Sequence, residues 1–89
     1  MNAENLRQPS QFELLEVAEW FTYHAPTEPQ QDRLVVVRTA ARELALALLK
    51  ACPPSADRTA ALRKLREVVM TANASIVLEG RMPAPVRGA

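Results

Sequence analysis

Residues 34–76 read LVVVRTAARELALALLKACPPSADRTAALRKLREVVMTANASI, and their spacing decides the fold. Leu34, Val37, Ala41, Leu44 and Leu48 recur at alternating intervals of three and four, and Leu62, Leu65, Val69, Ala72 and Ile76 do the same. That period puts each set on one face of an α-helix. Between the runs stands Cys52–Pro53–Pro54–Ser55. The prolines end the first helix, and so short a joint returns the second antiparallel to it. Leu34–Val37 is β-branched in part, but it lies inside the longer helical pattern with no turn residues beside it, so it reads as helix.

Proline and capping residues mark the helix ends. Thr27 with Gln30 three residues on forms a capping-box pattern, with Pro29 in the first turn, and Ser10 with Glu13 forms another. Ser55 can cap the last helix, where Asp57 suits the positive end of the dipole, and Gly80 suits its C-terminal cap. The sequence therefore predicts an all-α chain: a short N-terminal helix over 10–22, then two long antiparallel helices over 27–52 and 55–79 forming a helical hairpin. Each long helix extends roughly 36 Å at 1.5 Å per residue. The short helix is expected to turn Phe12 and Leu15 inward, with Trp20 beside them. A single domain spans 1–89, with 1–9 as a flexible leader and 80–89 as a flexible tail.

Size limits how such a hairpin can be stable. The chain has 89 residues, 48% of them hydrophobic and 24% charged, so it can fold but buries little. Its one cysteine, Cys52, leaves no internal disulfide, and its one histidine, His24, is too few for a zinc site. Subunit contacts are the remaining source of burial. Both long helices carry second apolar sets, Val35, Val36, Ala45, Leu46 and Leu49 on one and Val68, Met70 and Val77–Leu78 on the other. A helix apolar on two faces is a buried helix, so a homo-oligomer packed through those faces is expected.

Charge and motif content exclude several functions. The net charge is +1, divided between residues 1–32 at −5 (one Arg, six acids) and residues 33–89 at +6 (ten Lys/Arg, four acids). A basic body behind an acidic leader points mildly to an anionic ligand, although mixed charge on solvated helix faces explains it as well. No signal-peptide core and no membrane-spanning apolar run is present. The free thiol fits a reducing compartment, so the cytoplasm is expected. His24 has no evident nucleophile partner, Cys52 reads as a small hydrophobe, and no glycine-rich phosphate loop exists. No catalytic residue, metal or cofactor is expected. Glu13, Glu16 and Glu19 read as a solvated face. Arg63, Lys64 and Arg66 straddle the Leu62–Leu65 stripe as ordinary flanking charges, and helices this long do not resemble a helix-turn-helix, so no nucleic-acid polymer is expected.

The segment Phe21–Thr22–Tyr23–His24–Ala25–Pro26–Thr27 carries the chemistry. It sets the only tyrosine beside the only histidine in a proline-fixed joint just before a helix N-terminus, where free N–H groups favour anions. Arg38 follows about three turns on, and Arg42 one turn further on the same face. A ring that stacks on a base and guanidinium groups that pair with phosphate suit a nucleotide. On spacing alone the alternatives stay open: Tyr23 packed under a helix, and Arg38 paired with Glu43 or solvent.

With these residues in place, FTYHAPTEPQ (21–30), RTAARELALAL (38–48) and KACPPSADRTAALRKLREVVMTANASIVLEG (50–80) resemble the small phage anti-CBASS proteins that sequester cyclic oligonucleotides. Members share an aromatic–x–Tyr–His–x–Pro opening, a helix ending near Cys-Pro, and a Met–x–Ala–Asn–Ala–Ser–Ile signature, here Met70 to Ile76. The resemblance runs from about Phe21 to Glu79. It implies a sponge: a helical hexamer that binds cyclic dinucleotides such as cyclic GMP-AMP without cleaving them, in the cytoplasm of the infected bacterial host. It implies Tyr23 stacking on nucleobases and Arg38 meeting phosphates. His24, Pro26, Arg42 and Thr71 complete the candidate site.

Two departures bear on specificity. Relatives often carry Trp where Thr71 stands, and a basic residue near Val77–Leu78. The missing cation speaks against a second pocket for cyclic trinucleotides, so dinucleotides are the first expectation and trinucleotides the second. The alternative from another class is a helical oligomeric adaptor that binds a protein partner.

Overall fold

The computed structural model describes residues 6–81. They form three helices and no strand, α1 (Gln11–Trp20), α2 (Glu28–Ala51) and α3 (Ala56–Val77). Residues 1–5 of the leader and 82–89 of the tail lie outside the described residues. Residues 24–77, holding α2 and α3, make one compact unit, and the flanking residues with α1 make the other.

Both predicted capping boxes form. Ser10 Oγ accepts from Glu13 N–H at 3.1 Å while the Glu13 carboxylate accepts from Ser10 N–H at 2.8 Å. Thr27 Oγ1 accepts from Gln30 N–H at 3.3 Å while Gln30 Oε1 accepts from Thr27 N–H at 2.9 Å. Two donors that a helix start leaves orphaned are thus satisfied at each N-terminus. The Cys52–Ser55 joint is braced from α3: Ser55 Oγ accepts from Arg58 N–H at 3.1 Å, and the Arg58 guanidinium donates to the Cys52 carbonyl at 3.4 Å. Beyond α3 the chain turns at Gly80, whose φ of 79° lies where a side chain would be strained.

α2 and α3 pack along one seam. On α3 the half-buried residues include all five expected positions, Leu62, Leu65, Val69, Ala72 and Ile76. On α2 the seam is Leu34, Val37, Ala41, Ala45 and Leu48, so Ala45 takes the place expected of Leu44, which is 50% exposed. At about 100° per residue the two lie about equally far to either side of the stripe's centre, and sequence period does not separate them.

α1 departs further from expectation. Phe12, Leu15 and Trp20 do not turn inward but are all exposed, Leu15 at 65%. Phe12, Leu14, Leu15, Val17 and Trp20 are spread around the whole circumference of this helix, so no single face could bury them. Glu13, Glu16 and Glu19, expected as a solvated face, are instead partly covered. Glu13 has a clear cause, since Arg7 straddles its two carboxylate oxygens at 3.1 and 2.8 Å. Among the described residues no side chain is fully buried anywhere.

Candidate functional site

The α1–α2 joint is built by hydrogen bonds at both ends. α1 closes with Phe21 N–H donating to the Val17 carbonyl at 3.1 Å and Thr22 Oγ1 donating to the Ala18 carbonyl at 2.6 Å. Tyr23 follows at 85% exposure. On the α2 side, His24 and Pro26 are half-buried, and the Gln31 amide donates to the Pro26 carbonyl at 3.3 Å. Gln30 reaches across the hairpin to donate to the Ile76 carbonyl at 2.9 Å, which ties the first turn of α2 to the last turn of α3.

Further along the hairpin the seam opens into a groove of about 460 Å³. α2 lines it with Arg38, Ala41, Arg42 and Ala45, and α3 with Leu62, Leu65, Arg66, Val69 and Met70. The groove exists because Ala41 and Ala45 are too small to fill the space opposite the leucines. Its volume lies within the range of small-ligand sites. Three guanidinium groups stand over an apolar floor, and among the described residues no carboxylate lines it. Arg38, Arg42 and Arg66 take part in none of the hydrogen bonds or ion pairs formed among the described residues. Glu43 borders a separate depression beside Arg38 and Arg42, without an ion pair to either.

Of the six candidate residues, the structure brings Arg38 and Arg42 together in this groove. His24 and Pro26 do not join them. Arg38 lies eleven residues past Thr27, roughly 16 Å along the helix axis. Thr71 opens onto another depression, shared with Lys64, Glu67, Val68, Ala72 and Ser75. Tyr23 belongs to the other compact unit.

Arg66 is the groove residue that sequence reasoning missed by treating it as a flanking charge. A signal was present. In a hairpin closed at Cys52–Ser55, residues equally far from the joint face each other, as Gln30 and Ile76 do. That pairing sets 38–42 against 65–69, with Arg66 one turn from both Leu62 and Met70.

A capped antiparallel helix pair with an arginine-lined seam defines a helical hairpin domain. The family described as Acb2/Tad1, hairpin domain, matches residues 14–77, most of the chain. The protein belongs to this family, the anti-CBASS sponges that its sequence resembles, and the match begins within α1. No curated protein and no solved structure matches the chain. None of the described helices is long and apolar enough to cross a membrane.

Proposed function

We propose that this protein binds and sequesters cyclic dinucleotides such as cyclic GMP-AMP without cleaving them, so that the messenger does not reach the CBASS effector it activates. It would act in the cytoplasm of the infected bacterial host. The observation that carries this reading is the groove of a family hairpin in which Arg38 and Arg42 stand without acidic partners above an apolar floor. A cyclic dinucleotide offers two phosphates for such cations and two bases for apolar or aromatic contact. The exposed ring of Tyr23 supplies a stacking face. Cyclic trinucleotides are the second ligand class, and Val77–Leu78 offers them no cation.

A hexamer is proposed with it. With no side chain fully buried among the described residues and Phe21, Val36, Val68 and Met70 exposed, the single chain leaves apolar surface for other copies. Because His24 and Pro26 precede α2 and Arg38 lies three turns into it, a ligand touching both sets would take them from neighbouring subunits. Repeated subunits would give a near-twofold ligand two matching sets of contacts, preorganised for tight capture. The adaptor reading draws on the same exposed residues, but it leaves the unpartnered arginines without a role.

Calorimetric titration with cyclic GMP-AMP tests the proposal. Binding followed by recovery of intact nucleotide on denaturation is expected; recovery of a hydrolysed product sinks the sponge mechanism, and absence of heat favours the adaptor.

A further inference from the structure

We infer that Arg66 of α3 is a third phosphate-binding cation, so that an anionic ligand in the groove is gripped from both helices; this rests on the sponge reading above. Arg66 lines the groove opposite Arg38 and Arg42, and none of the three has a hydrogen-bond or ion-pair partner among the described residues. Three like charges gathered in a concave apolar setting, with no carboxylate among the described residues lining it, raise the local potential and repel one another until an anion enters. A cation on each wall suits a ligand with two separated phosphodiesters better than one with a single phosphate. Each guanidinium can make a paired contact to phosphate oxygens, which an ammonium group cannot reproduce. Met70 and Leu62, one turn to either side of Arg66, give the same wall apolar surface for a ring.

The ligand class is therefore an amphipathic cyclic diester with a charge on each side. A cyclic mononucleotide, with one phosphate, should bind much more weakly. Arg66 is exposed, so replacing it removes the charge without opening a core.

The test compares wild type, Arg66→Ala and Arg66→Lys by titration with cyclic GMP-AMP at two salt concentrations, with mass by light scattering and melting by circular dichroism. Arg66→Ala should weaken binding roughly ten- to hundredfold, the scale of a lost charged hydrogen bond. It should also flatten the salt dependence, at unchanged mass and melting. Arg66→Lys should recover part of the affinity. Wild-type affinity in Arg66→Ala overturns the inference and leaves the sponge reading standing. A change in mass makes Arg66 an assembly residue and also overturns it. No binding by the wild type removes both.

Discussion

The Gln30 side-chain amide works at both of its ends: its nitrogen donates to the Ile76 carbonyl at 2.9 Å while its oxygen accepts from Thr27 N–H at 2.9 Å. One side chain thus caps the start of α2 and satisfies a carbonyl in the last turn of α3, where no intrahelical donor is available. Gln30→Glu separates the roles. A carboxylate keeps the capping box but cannot donate to Ile76, and it faces the carbonyl with a negative charge. Gln30→Glu should lower stability by about 1–2 kcal/mol, and Gln30→Ala by about 2 kcal/mol. Urea denaturation at matched protein concentration reads both.

Tyr23 and Arg38 should be separable from assembly. Tyr23→Ala is expected to cost roughly 1–3 kcal/mol per stacked base, whereas Tyr23→Phe retains most of the affinity. Arg38→Ala should reduce binding of cyclic GMP-AMP at least tenfold. Light scattering should find the same mass in each variant. Full affinity in both alanine variants would remove these residues from the site.

The groove itself can be filled. Ala45 lies on its floor, and Ala45→Leu would project side chain into the space a ligand needs. Binding should fall tenfold or more in calorimetry, while hairpin stability changes by less than about 1.5 kcal/mol because the added methyl groups enter open space. Loss of folding instead of loss of binding would mean that the seam is tighter than the groove implies.

Strong acid should weaken the start of α1. The Arg7 guanidinium, helped by Ser10 N–H, holds the Glu13 carboxyl down to about 2 from an ordinary 4.5. A pKa lowered in the folded chain stabilises it above the unfolded value, so this contribution is complete above pH 4.5 and disappears as pH falls towards 2. Both groups are exposed, so the effect is local and salt-sensitive. Carbon-detected NMR titration of Glu13 should give the low midpoint, and Arg7→Ala should move it upward. An unmoved midpoint would assign the shift to Ser10 alone.

The helical hairpin was legible because local signals agreed: period, capping boxes and a double proline all pointed to the same three helices. The five seam positions of α3 were readable, although Val77, expected on the outer face, is half-buried as well. Leu44 and Ala45 were not separable, since the period treats them alike and only the docked register of α3 decides which of the two faces the seam. α1 misled because apolar residues on every side of a short helix have no unique inward direction. Arg38 and Arg42 were found as an i, i+4 pair on one helix. Arg66 belongs to the same groove through the register of two helices, which charge spacing along one helix does not encode.

The absence of any fully buried side chain among the described residues has a consequence for dosage. In the proposed assembly, folding and association would become one concentration-dependent equilibrium, so that dilution would melt the protein as well as separate it. A ligand bound only by the assembled form draws further chains into that form. Messenger and protein would then stabilise each other, and the capacity to absorb the signal would rise more steeply than the number of chains made.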